Sequence, residues 1–181
     1  MGQIQSAINA GIGSIIGAKA MAEHLQGQAL NAIEGEYKEA KEIGKDAVPL
    51  AAQISKETYK ENSLNKALRE NYDKLKIEHP RDEKTGRFVN KKEYQRKLEK
   101  DISEAQKALF DVHQQQKVTS IQRKEFNARL DMYNTRQGLI QKSLDRLPAK
   151  NRPESPDLDN ILPPQQWSAV DLIKRNNKEN K

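Results

Sequence analysis

The chain has 181 residues, of which 35% are hydrophobic, 5% aromatic and 32% charged, and it contains no cysteine. So little apolar surface excludes a thick globular core, and the abundance of Glu, Lys, Gln, Ala and Leu is the balance of long helices rather than of sheet. The missing cysteines exclude disulfide staples and thiolate metal sites, and a formal net charge of +6 points to a polyanionic partner, nucleic acid or an anionic membrane, set against a plain solvated mixed-charge surface.

Residues 1–18 carry no charged side chain, and Ile4, Ile8, Ile12, Ile15 and Ile16 fall on one face of a helix. Gly13 and Gly17 form a GxxxG pair, the spacing that lets two helix backbones approach closely in lipid. Eighteen residues reach about 27 Å as a helix, close to the thickness of a hydrocarbon core. Gln3, Gln5, Ser6, Asn9 and Ser14 make the stretch too polar for a steady span. The expectation for 1–22 is a membrane-active amphipathic helix that inserts conditionally or as an oligomer, with a Gly/Ala-rich helix packing tightly on protein as the competing reading. The opening Met-Gly-Gln-Ile-Gln-Ser also matches the myristoylation pattern, with Gly2 as acceptor.

Residues 23–78 continue as helix, with Leu25, Ala29, Ile33, Tyr37, Ala40 and Ile43 as one apolar stripe and Ile54, Leu64, Leu68, Tyr72 and Leu75 as another. Pro49 lies between the two, and a proline lacks the N–H a helix interior needs, so a break or kink is expected there. Residues 79–90 read as a turn, opened by Pro80 and containing Gly86 for a positive φ. That turn can fold the flanking helices into an antiparallel hairpin. Asn90 then stands as the N-cap of a new helix, whose first turns hold the basic cluster Lys91, Lys92, Arg96, Lys97 and Lys100. These five are the candidate nucleic-acid contacts; Tyr94 is the one aromatic residue among them, which is a weak stacking platform.

From 91 to 147 the sequence predicts one long helix of about 85 Å. Steps of four and three from Leu98 reach Ile102, Ala105, Leu109, Val112, Gln116, Thr119, Arg123, Phe126, Leu130, Tyr133, Gln137, Ile140, Leu144 and Leu147, and eleven of the fifteen positions are apolar. Such a repeat makes a left-handed seam that one helix cannot bury alone. Gln116, Thr119, Arg123 and Gln137 interrupt it with polar groups. Two readings stand: a frayed, solvent-facing turn with the seam rotated onto Val118 and Ile121, or a polar layer that sets register or lines the inside of a helical assembly.

Residues 148–181 hold Pro148, Pro153, Pro156, Pro163 and Pro164 in a polar background, which predicts an extended tail. Within it Trp167, Val170, Leu172 and Ile173 form a short apolar patch, either a docking peptide for a partner's groove or a segment that folds back on its own helices. The fold class expected is therefore all-α: elongated long helices with a coiled-coil seam and an extended proline-rich C-terminal tail.

No catalytic motif is present, His24, His79 and His113 are widely separated, and carboxylates alternate with Lys and Arg in the pattern of surface ion pairs. An enzyme is not expected, nor a metal site, a cofactor or a small-molecule substrate. The order of parts, an uncharged Ile8-Asn9-Ala10-Gly11-Ile12-Gly13-Ser14-Ile15-Ile16-Gly17 start followed by long Gln/Lys-rich helices, resembles the DNA pilot (minor capsid) proteins of small single-stranded-DNA phages. More loosely it is similar to virion ejection proteins of other phages. The resemblance implies a homo-oligomer located in the virion, partnered by other virion proteins, meeting the host membrane during entry and contacting single-stranded DNA. The alternative from another class is a non-enzymatic coiled-coil scaffold or adaptor that binds protein partners through its C-terminal tail.

Overall fold

The computed structural model describes the backbone of residues 2–175 and the side chains of residues 17–150 and 152–175. The chain is all-α. Helix α1 spans Gly2–Leu75 and α2 spans Lys91–Leu144; a 3-10 turn at Ala149–Asn151 and the short helices α3 (Leu158–Ile161) and α4 (Pro164–Arg175) follow. Among the described residues there is no strand, only an isolated antiparallel bridge between Arg81 and Phe88.

α1 does not break at Pro49 but passes through it. The proline nitrogen cannot donate to the carbonyl of Lys45, and the physical reason this is tolerated lies in exposure: Lys45 and Pro49 both face solvent, where water satisfies the orphaned carbonyl. The expected separate helices on either side of that position are thus one helix.

The chain divides into two compact units, Met1–Val48 with Phe126–Lys181, and Pro49–Glu125. In the first, the core comes from Ile33, Ala40, Ile43 and Ala47 on α1, from Phe126, Leu130, Tyr133 and Leu144 on α2, and from Leu158, Leu162, Ala169, Val170 and Ile173 after it. In place of the expected extended tail, the described residues from Leu158 to Arg175 form the helices α3 and α4. Asp157 caps α3 by accepting from the Asp159 N–H, and α4 then places Ala169, Val170 and Ile173 on one side, the 3.6-residue spacing that buries a stripe. Prolines at 156, 163 and 164 stand outside or at the first position of these helices, where the lost N–H costs nothing. Gly44 makes this packing possible: a Cβ there would stand 2.7 Å from Leu162 Cδ2 and collide with the Gln166 amide.

In the second unit the two helices are antiparallel, joined by the expected turn. Its apolar core is Ala51, Ile54, Leu98, Ile102 and Val112, with Leu64, Leu68, Leu75, Ala105 and Leu109 half-buried. The turn is held by Asp82, whose carboxylate accepts from the N–H of Thr85 at 2.7 Å, its hydroxyl at 2.9 Å and the N–H of Lys84 at 3.1 Å. Those bonds hold the Asp82 carboxyl below its ordinary range, the Thr85 N–H contributing most. Gly86 adopts φ +66°, and Asn90 caps α2 by accepting from the Lys92 N–H at 3.0 Å.

Candidate functional site

Every one of the fifteen heptad positions from Leu98 to Leu147 is buried or half-buried, while Val118 and Ile121 are more than half exposed. The stripe that faces them on α1 follows the same alternation of three and four from Ile33, through Glu36, Ala40, Ile43, Ala47, Leu50, Ile54, Glu57, Glu61, Leu64, Leu68 and Asn71 to Leu75, each of them buried or half-buried. Three glutamates thus sit at positions where an apolar residue would be ordinary. Two of them, Glu57 and Glu61, meet the polar interruptions Thr119 and Gln116 on α2, and Glu36 accepts from Arg136.

In the Pro49–Glu125 unit, Thr119 donates to Glu57 at 2.7 Å and accepts from the Gln53 amide at 2.8 Å; Gln53 also donates to Glu57 at 3.0 Å. Glu57 is only 7% exposed and Thr119 3%, so these bonds offset the desolvation of a buried carboxylate. One turn away Gln116 donates to Glu61 at 2.6 Å and the His113 ring nitrogen lies 3.2 Å from the same carboxylate. Gln116 first, and His113 after it, hold the Glu61 carboxyl below its ordinary range against the opposing effect of burial. Arg123 is half-buried. Of the polar residues in the run, Thr119 is buried and Gln116 and Arg123 are half-buried, and Gln116 and Thr119 pair with carboxylates of the same chain.

In the other unit Arg129 donates to Glu39 at 2.7 Å, Asp46 at 2.7 Å and Glu42 at 3.2 Å, and Arg136 donates to Glu36 at 2.7 Å. The Arg129 bond holds the Glu39 carboxyl below its ordinary range. Gln137, the last polar seam residue, accepts from Ser155 at 3.4 Å. It borders a cleft of about 440 Å3 together with Tyr133, Asp157, Trp167 and Lys174.

The proposed docking patch does not stand free. Val170 and Ile173 are fully buried in the core of their unit, a consequence of helical spacing in α4, and only Trp167 and Leu172 keep part of their surface. The Lys174 ammonium lies 5.0 Å from the Trp167 ring centroid, within cation–π range.

Lys91, Lys92, Arg96, Lys97 and Lys100 lie on the first turns of α2 and all five are exposed, with Lys100 in an ion pair with Glu104 at 3.8 Å. Sequence reasoning missed what lies beside them: Phe88, 66% exposed, with the Arg81 guanidinium 4.3 Å from its ring centroid. The signal was available, since Phe88 is an aromatic residue in an otherwise polar turn. The side chains of Ile4, Ile8, Ile12, Ile15 and Ile16, and the surroundings of Gly13, lie outside the described residues. Gly17 has open space around the position of a Cβ.

Among the described residues no helix is long and apolar enough to cross a membrane, and no group of His, Cys, Asp or Glu is placed to hold a metal ion. What the geometry defines is an all-α protein in which α1 and α2 are tied by side-chain bonds to buried and half-buried carboxylates. No known family matches the chain, and neither does any curated protein or solved structure.

Proposed function

We propose that this chain is a non-enzymatic structural protein of a phage virion, of the minor capsid or pilot type, which assembles with copies of itself and other virion proteins, meets the host membrane through its amino terminus and contacts the genome during delivery. The observation that carries the reading is the start of α1. From Gly17 to Leu25 every residue is exposed, including Met21 at 63%, and the first buried residue among the described ones is Ile33. That length of helix, roughly two and a half turns, buries none of its described residues and continues a stretch without a charge. A helix of such composition finds its partner elsewhere, in lipid or in another protein.

The finer fold reading that belongs with this is a coiled coil closed within the chain, supported by the shared spacing of the α1 and α2 stripes. The pairing of Gln116 and Thr119 with Glu61 and Glu57 supports a seam occupied within the chain and self-association through other faces. Candidates are Val118 and Ile121 in one unit and Met132 and Leu139 in the other, all more than half exposed.

Dye leakage from anionic liposomes tests the membrane half: the full chain is expected to release dye and the Ile8→Asp/Ile12→Asp variant to lose that activity, whereas equal leakage overturns it. Mass spectrometry of purified particles tests the virion half. A second reading, an adaptor for protein partners, is favoured by the cleft beside Trp167. Under it the chain binds neither liposomes nor DNA at low salt.

A further inference from the structure

The turn between α1 and α2 presents an aromatic ring in water on an ordered frame. Every residue from Arg81 to Phe88 is exposed, yet the segment is tied by backbone bonds from the Asp82 N–H to Arg87 at 2.8 Å, the Gly86 N–H to Asp82 at 2.8 Å and the Val89 N–H to Pro80 at 3.1 Å, and by the Arg81–Phe88 bridge. Burying Phe88 would satisfy the hydrophobic effect, and the turn does not do so. Instead the Arg81 guanidinium lies over the ring at 4.3 Å and the His79 ring meets it edge-on, centroids 6.4 Å apart.

The surroundings are cationic. Between residues 79 and 100, Arg81, Lys84, Arg87, Lys91, Lys92, Arg96, Lys97 and Lys100 outnumber the acids Asp82, Glu83, Glu93 and Glu99. Two of the acids are already engaged, Asp82 by the turn's own N–H groups and hydroxyl and Glu83 by Lys74 at 2.8 Å. Arg81, Lys84, Arg87, Lys91, Lys92 and Arg96 form none of the ion pairs found among the described residues.

We infer that this turn is a binding site for single-stranded nucleic acid, in which Phe88 and the Arg81 guanidinium stack unpaired bases and the cations around them, Arg87, Lys91, Lys92 and Arg96 among them, hold the phosphates. A stacking ring beside a guanidinium plane, with further unpaired cations in the adjoining chain, is the combination that binds single strands without reading their sequence. A duplex keeps its base faces inside the stack and would use the cations alone. An acidic peptide would do the same and leave Phe88 idle. Nothing at the turn is placed to distinguish a ribose from a deoxyribose, so DNA and RNA strands bind alike. This inference deepens the genome contact in the proposed function and rests on that reading for the source of the strand.

The test is fluorescence anisotropy of the full chain with a labelled oligothymidylate of about fifteen nucleotides, an oligouridylate of the same length and a matching duplex. The two single strands are expected to bind equally and more tightly than the duplex at one salt concentration. Phe88→Ala should weaken single-strand binding by between about fivefold and a hundredfold with an unchanged thermal melt, since the ring is exposed, and Phe88→Trp should retain it. Lys91→Gln/Lys92→Gln should weaken binding and flatten its salt dependence by about 0.7 in log–log slope for each phosphate that is no longer neutralised. Undiminished binding by Phe88→Ala, a duplex bound as tightly as the single strands, or no binding at low salt overturns the inference. Failure here leaves the chain's presence in particles and its liposome activity untouched; absence from particles overturns the proposed function and leaves the oligonucleotide result standing.

Discussion

Gly35 and Gly44 lie on the same helix, α1, and the packing of α4 makes opposite demands on them. In a helix interior alanine is better than glycine by up to about 1 kcal/mol. At Gly35 nothing lies within 4 Å of a new Cβ, so Gly35→Ala should realise most of that gain and raise the melting temperature by roughly 2–4 °C. At Gly44 the new methyl meets Gln166 and Leu162. The Gln166 amide ends a flexible side chain and can swing away, but Leu162 Cδ2, 2.7 Å distant, belongs to a side chain only 5% exposed and has nowhere to go. Overpacking of this kind costs about 1–3 kcal/mol, which outweighs the helix gain and leaves Gly44→Ala destabilised by about 1 kcal/mol. Thermal melts followed by circular dichroism measure the sign, and the emission of Trp167, the single tryptophan, reports whether α4 has moved. If Gly44→Ala is as stabilising as Gly35→Ala and the emission of Trp167 is unchanged, α4 does not pack against that face of α1 and the assignment of Val170 and Ile173 to the core fails.

Two further outcomes are expected. Thr119→Val removes a donor from buried Glu57 and should cost about 1.5–3 kcal/mol, whereas Glu57→Leu combined with Thr119→Val should recover most of the loss; in urea melts, a single-variant cost within about 0.5 kcal/mol would mean that Glu57 is hydrated. Burial, with Glu36 and Asp157 adding to it, pushes the Tyr133 hydroxyl up to about 12, so the folded state favours its neutral form: the stabilisation is intact below about 10 and is lost as pH rises from there through about 12. Tyr133→Phe should therefore resist alkaline unfolding better than the wild type, and superimposable stability curves above about pH 10 would refute the shift.

The α2 half of the helix packing was legible because apolar residues at alternating steps of four and three leave few other interpretations, and the polar positions within the run stood out against it. The α1 half was hidden by its composition. Glu36, Glu57 and Glu61 occupy positions of the same repeat, and a stripe interrupted by glutamates does not read as a stripe until the residues opposite them, Arg136, Thr119 and Gln116, are known. Pro49 misled for a related reason: the rule that proline ends a helix holds where the orphaned carbonyl is buried, and exposure at Lys45 is a tertiary fact. The C-terminal segment was obscured by its prolines, which were weighed as a composition and not by position; read by position, they flank α3 and open α4. Phe88 was passed over because stacking platforms were sought on the helix and not in the turn before it.

A long heptad repeat is close to self-similar, so a helix pair that slides by seven residues presents nearly the same apolar teeth to its partner. Arg129 makes such a slide expensive. In place it meets Glu39, Glu42 and Asp46; moved one heptad toward the amino terminus of α1 it would meet Ala32, Gly35 and Glu39, and one heptad the other way Asp46, Pro49 and Gln53. Either shift strips two of three carboxylates from a guanidinium that is only 34% exposed, while the apolar stripe would hardly register the change. The three acids act as a key cut for one lock position, and neutralising Glu42 and Asp46 together would leave a protein of nearly unchanged composition whose helices have lost that reason to prefer one alignment over the next.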